Sequence, residues 1–151
     1  MRGALVRLVP VDSENWRALA QVACARGQER FVAPVTYYLC LCNYGGQWQP
    51  WAIVADGAVV GHAMWARDED GSTWLGGLVI DATEQGKGYG RAAVSAFIER
   101  FTSDVGEVHV ALSYAADNRI ARDLYRELGF VETGEMADDE IVARLVRHRT
   151  P

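Results

Sequence analysis

Cysteine is scarce: Cys24, Cys40 and Cys42 are an odd number with no CxxC pair among them. That pattern indicates neither a disulfide framework nor a zinc site, and the simplest setting for the chain is the reducing cytoplasm. The three histidines, His62, His109 and His148, have no metal-ligand spacing and no nucleophile partner in a defensible pattern. Ordinary structural roles are expected for them, and no metal. Long hydrophobic runs are missing too, none approaching the roughly 20 apolar residues of a membrane-spanning helix. The opening residues Met1 to Val6 carry a charge but no long apolar stretch or small-residue cleavage site, so no signal peptide is expected. Excess basic charge is absent. Fifteen Lys and Arg stand against 20 Asp and Glu, mixed along the chain, for a net charge of −5. A nucleic-acid partner, which calls for a basic patch, is disfavoured, and a cationic substrate is mildly compatible.

What is present suits one domain, residues 1–151, with half of the residues hydrophobic and a core large enough to fold unaided. Ala4 to Val9 alternates like a strand. Asp12 or Ser13 can cap a helix from about Glu14 to Arg26 that places Trp16, Leu19, Ala20 and Ala23 on one face. Residues 28–49 are hard to read, with a break at Pro34 and a short helix over Val35 to Cys42. Trp51 to Ala55 and Ala58 to Trp65 form a hairpin through Asp56-Gly57. After a turn at Asp68 to Gly71 come a strand from Thr73 to Ile80, a Gly-rich loop and a helix to about Phe101. A strand over Glu107 to Ser113 follows, then a helix from Asp117 or Asn118 that ends at Gly129. Phe130 to Glu135 and Glu140 to Val146 can pair through Asp138-Asp139. The fold class expected is α+β, a mixed and mainly antiparallel sheet flanked by helices.

The loop Gln85-Gly86-Lys87-Gly88-Tyr89-Gly90-Arg91 carries the chemistry. It joins a strand to a helix N-terminus, where unpaired N–H groups and a partial positive charge suit phosphate. Glycine there lets the backbone approach a ligand closely. A Walker A loop is excluded because Lys87 is followed by Gly88 rather than Ser or Thr. Gly88 to Ala93 matches a GxGxxA dinucleotide fingerprint. That fingerprint normally sits at the first strand of a parallel array, and the acidic residue expected at the end of the next strand is replaced by Ser113 and Tyr114. The third reading is an acyl-CoA loop of the form Gln-x-x-Gly-x-Gly.

With that loop, and with Asn118, Ala121, Leu124 and Tyr125 preceding Leu128-Gly129-Phe130, the chain resembles the GNAT superfamily of N-acetyltransferases. Glu29 to Pro34, the QGKGYGRAA loop, Leu112 to Tyr114 and Glu132 to Glu135 look like the bacterial spermine/spermidine (diamine) acetyltransferase branch. The resemblance implies acetyl-CoA as co-substrate, lying across Leu78, Val79 and Ile80, with the N–H groups of Gly86, Lys87, Gly88, Tyr89, Gly90 and Arg91 on its pyrophosphate. Lys87 and Arg91 either add charge to that site or point to solvent; Gln85 is read as a cofactor contact in preference to a brace. Asn118, Ala121 and Tyr125 fall on one helix face toward the same ligand. Tyr125, neutral at pH 7, is the expected proton donor to the departing sulfur.

A backbone N–H near Leu78 is the expected oxyanion donor. The general base is not legible. Gly76-Gly77 either opens room for a larger acceptor or marks a β-bulge. Glu29 and Phe31 are acceptor-pocket candidates, whereas Asp68 to Asp70 read as a solvated turn. Tyr37, Tyr38, Trp51 and Trp65 can form an aromatic wall, though core packing is the commoner use. Cys40 and Cys42 are expected to be buried or pocket-lining.

The implied activity is direct acetyl transfer to a primary amine on a small molecule, with a polyamine or diamine among the candidates. An antibiotic, an amino acid or a protein amine is the alternative, as is a catalytically silent acyl-CoA sensor. A homodimer would follow the family habit.

Overall fold

The computed structural model describes residues 4–102 and 106–149; residues 1–3, and the side chain of His148, lie outside the described residues. The elements run β1 (Arg7–Pro10), α1 (Trp16–Ala20), α2 (Val35–Tyr44), β2 (Gln49–Ala55), β3 (Ala58–Arg67), β4 (Thr73–Ile80), α3 (Tyr89–Phe101), β5 (Gly106–Tyr114), α4 (Arg119–Glu127), β6 (Val131–Ala137) and β7 (Glu140–Arg149). The strands form one seven-stranded sheet in the order β1-β2-β3-β4-β5-β7-β6. Every neighbouring pair is antiparallel except β4 with β5. This is the expected α+β class.

Local chemistry explains the turns. Asp56 and Gly57 both take positive φ, +50° and +77°, as a two-residue hairpin turn demands. Helix α1 is the main departure, covering five residues instead of the thirteen expected. Beyond Gln21 the backbone turns to tertiary partners: Ala23 N–H donates to the Asp81 carboxylate at 3.1 Å, and Ala82 N–H donates to the Ala23 carbonyl at 2.8 Å. Those bonds replace helical ones, so Ala23 is exposed and Trp16 is 43% exposed rather than packed.

Two cores sandwich the sheet. On one face Trp51, Leu75, Val94, Phe97, Leu112, Tyr114, Tyr125 and Phe130 pack beneath α3 and α4. On the other Leu19, Val35, Ala52 and Val79 pack beneath α1 and α2. Trp51 and Trp65 belong to the first core, with ring centroids 5.9 Å from Phe97 and 5.1 Å from Phe101 respectively, and so form no pocket wall.

Two irregularities in β4 set up the site. Its parallel pairing with β5 reaches only Thr73↔Val110 and Trp74↔Ala111, after which the strands part. Against β3, the register steps from Met64↔Gly76 to His62↔Val79, so Gly77 and Leu78 together oppose Ala63. Two residues against one is a β-bulge. Gly77 holds it at φ +56°, a conformation that resists L side chains.

Candidate active site

A cavity of about 880 Å³ occupies the wedge where β4 and β5 part. Its floor is the bulged strand from Trp74 to Ile80. The Gly-rich loop, the first turn of α3 and the β6–β7 hairpin also contribute to its lining. Leu78, Val79, Ile80, Gln85, Gly86, Gly88, Tyr89, Gly90, Asn118, Ala121 and Tyr125 all line it, together with Phe31, Gly76 and Gly77.

The loop is built for close approach. Asp81 caps a short 3-10 turn at residues 82–84 by accepting from Thr83 N–H at 3.1 Å. Gly86 and Gly88 take φ of +81° and +84°, and no atom stands within 4 Å of a Cβ placed at Gly86. Gly88 is the N-cap of the thirteen-residue helix α3, so backbone N–H groups of the loop and first turn face the cavity end without a side-chain cap. Gln85 is spent on bracing. Its amide donates to the Ile80 carbonyl at 2.9 Å and to Gln28 at 2.8 Å, which ties loop to strand and leaves a cofactor contact to its backbone. Lys87 and Arg91 do not line the cavity; they pair with Glu84 and Glu127.

Helix α4 brings the phenol. The Asn118 carboxamide accepts from Ala121 N–H at 3.3 Å and so caps the helix while lining the cavity. Tyr125 is buried, 8% exposed, between the rings of Tyr114 and Phe130 at 5.6 and 5.8 Å. Burial chiefly, then the nearby Tyr114 and Glu140, push its pKa well above the ordinary tyrosine value. Tyr114 is pushed up to about 12 by burial and by its hydrogen bond to Glu132, which is itself gripped by Arg122 at 2.6 Å.

The glycine pair does not enlarge the site. The Trp48 ring sits where a Gly76 side chain would stand, 2.9 Å from the Cβ position. His62 occupies the equivalent space at Gly77, 3.0 Å away. His62 is fully buried and shares a short 2.6 Å hydrogen bond with the Gly77 carbonyl through Nδ1. Its ring stacks on Tyr38 at 5.5 Å, and Nε2 finds no partner among the described residues. Burial lowers its pKa, so the neutral tautomer donates from Nδ1–H and holds the bulge. Below pH about 6.5 the unfolded chain binds a proton here that the fold resists, so stability falls with acid from that point down to the folded pKa. Thermal unfolding should therefore show a midpoint that drops between neutral pH and about pH 5.5, and His62→Phe should flatten that dependence. An equal drop in the variant would remove His62 as its source.

Other expectations are corrected. Glu29 turns back to accept from Gly27 N–H at 2.7 Å, using the positive-φ glycine turn, and is not among the lining residues. Cys40 is exposed and Cys42 faces the Met64 sulfur at 3.8 Å; the cysteine that lines the cavity is Cys24. Tyr37 is 58% exposed, leaving Tyr38 as the cavity-facing tyrosine of α2. Trp48, Trp74, Ser113, Asp138 and Glu140 also line the cavity, a role that the sequence does not show for them. They reach it through strand pairing and ring packing between distant segments, which local sequence patterns do not encode.

Among the described residues no helix is long and apolar enough to cross a membrane, and no group of His, Cys, Asp or Glu is placed to hold a metal. The model of the "Acetyltransferase (GNAT) family" matches residues 14–130. A spermine/spermidine N(1)-acetyltransferase of Bacillus subtilis is 27% identical, over 87% of this chain and 91% of the relative. Among solved structures, spermidine N-acetyltransferase from Vibrio cholerae, in complex with CoA and spermine, superposes with a TM-score of 0.68. It is 18% identical and 94% of each chain is covered. The ribosomal-protein-S18-alanine N-acetyltransferase of Escherichia coli also gives 0.68, at 20% identity with 97% of each chain covered.

Proposed function

The chain belongs to the GNAT acetyltransferase family, and from that premise we propose that it moves acetyl from acetyl-CoA directly to a charged primary amine of a small molecule, with polyamines and diamines as the first candidates. One observation carries the acceptor half of this reading. Among the described residues the cavity is lined by Glu84, Asp138 and Glu140 and by no Lys, Arg or His; with Glu84 paired to Lys87, the excess negative charge lies at Asp138 and Glu140 on the β6–β7 hairpin. An ammonium group fits that lining, and an anionic acceptor does not. The relatives named for spermine and spermidine point the same way.

The residues also fit the donor. The parted strands leave the β5-facing side of the β4 backbone at Leu78 to Ile80 open to the amides of an extended pantetheine arm. Pyrophosphate would rest on the N–H groups of Gly86 to Arg91, where the positive φ of Gly86 and Gly88 and the empty Cβ position at Gly86 permit contact. Acetyl-CoA supplies an acetyl group activated as a thioester.

The acceptor ammonium first gives up a proton to become a nucleophile, and its nitrogen then bonds to the acetyl carbon as the C–S bond breaks. The bulge would aim the Leu78 N–H at the carbonyl oxygen as that oxygen gains charge. Tyr125 would donate its proton to the departing sulfur, and the nitrogen's second proton would restore the phenol by way of solvent. The balance is one amide, one CoA thiol and one released proton from ammonium and thioester.

Release of CoA thiol across a panel of amines tests the reading. Turnover with spermidine or a diamine is the expected result, and turnover confined to an antibiotic, amino acid or protein amine would select that acceptor instead. Saturable acetyl-CoA binding with no transfer to any amine would contradict the reading and leave a sensor.

A further inference from the structure

Resting on the transferase reading, we propose that Glu140, on the β6–β7 hairpin, is the residue that holds the acceptor's ammonium group, with Trp48 and Tyr38 as the ring wall beside it. Alternation along β5 places it. Leu112 and Tyr114 lie in the core beneath α3 and α4, so Ser113 between them faces the α2 side. The Ser113 hydroxyl donates to Glu140 Oε1 at 3.0 Å, which fixes the carboxylate on that side of the wedge. Tyr125 approaches from α4 on the opposite face. A donor thioester threaded between β4 and β5 would thus meet an acceptor arriving from the α2 side.

Charge singles out this carboxylate. Of the acids lining the cavity, Glu84 is already paired with Lys87 at 2.7 Å, and Asp138 is exposed to solvent in the β6–β7 turn. The half-buried Glu140 side chain has only the neutral Ser113 hydroxyl as partner among the described residues. A carboxyl group with one neutral partner keeps acceptor positions open, and an ammonium ligand fills them. Tyr38 on one wall and Tyr125 on the other, both with pKa raised chiefly by burial, lie close enough to Glu140 for it to add a smaller rise to each. The rings then supply the rest of the subsite. Because Gly76 lacks a side chain, Trp48 lies directly on β4, and Tyr38 is locked in place by stacking on His62. Their faces attract a cation and their area shelters an alkyl stem. The class of acceptor recognised is an alkylammonium, a charged amine on an apolar stem.

The test compares a charged acceptor with an uncharged nucleophile, spermidine with hydroxylamine near neutral pH, in the full-length protein. In Glu140→Gln the ratio of kcat/KM for spermidine to kcat/KM for hydroxylamine should fall about 10- to 100-fold, the scale of a lost charge-assisted hydrogen bond. The KM for spermidine should carry most of that change. Glu140→Asp keeps the charge and Ser113→Ala frees the carboxylate, so both should shift the ratio in the same direction by less; they carry the test if the glutamine variant fails to fold. Equal losses on both acceptors, leaving the ratio unchanged, would overturn the role of Glu140 while leaving the transferase intact. No turnover of any amine by the unaltered protein would sink both readings together.

Discussion

Tyr125→Phe should lower kcat by ~10²-fold or more, the usual worth of a positioned proton donor, while acetyl-CoA affinity stays within a few-fold. The substitution removes one hydroxyl and keeps the ring between Tyr114 and Phe130, so the packing of α4 survives. The physical basis is the buried phenol lining the wedge. A model thiol has pKa about 8.5 and a model tyrosine about 10, and burial raises this one further. The same burial desolvates a departing sulfur, so both acidities shift in one direction and the hydrogen bond between them remains useful. The sign of the pH effect follows. A raised pKa keeps Tyr125 protonated to higher pH, so kcat should show no descending limb from this residue up to pH about 10. Steady-state kinetics with isothermal binding of acetyl-CoA separate the two quantities. Unchanged kcat in Tyr125→Phe would remove the phenol from the mechanism.

Gly77→Val should be comparably damaging, and by a different route. A β-branched residue at φ +56° is strained by roughly 1–3 kcal/mol, and its Cβ would stand 3.0 Å from the His62 ring. Relief requires either moving a fully buried histidine off Tyr38 or flattening the bulge. Flattening would re-aim the Leu78 N–H, the proposed oxyanion donor, and losing one such donor typically costs 10²–10³-fold in kcat. The expected result is a melting point lowered by several degrees together with kcat reduced ~10²-fold. A variant that melts lower but turns over normally would mean the bulge matters to stability alone.

How much of this was legible beforehand depended on whether the cause was local. Asp56-Gly57 and the loop from Gln85 to Arg91 demand particular dihedrals, and both read correctly as a hairpin turn and a strand-to-helix junction. The early helix misread because its propensity was overridden by Asp81, 58 residues away, which captures the Ala23 N–H. Gly76-Gly77 was recognisable as unusual, and the bulge was one of its two readings. That Trp48 and His62 fill the vacated space could not be read, since both come from other segments. Glu140 was invisible for the same reason. It reaches Ser113, 27 residues earlier, only because β5 and β7 pair antiparallel. Gln85 shows the limit of motif reasoning: its identity fitted a cofactor loop, but its side chain serves the loop's own geometry.

Acetyl should leave CoA and arrive intact on an amine held in the wedge. Mass spectrometry of spermidine after incubation with isotopically labelled acetyl-CoA and the protein tests it most directly. The expected product is a monoacetylated amine carrying the label, formed one-for-one with free CoA and abolished or nearly so in Tyr125→Phe. Release of CoA with the label appearing only as free acetate, whatever amine is supplied, would contradict it.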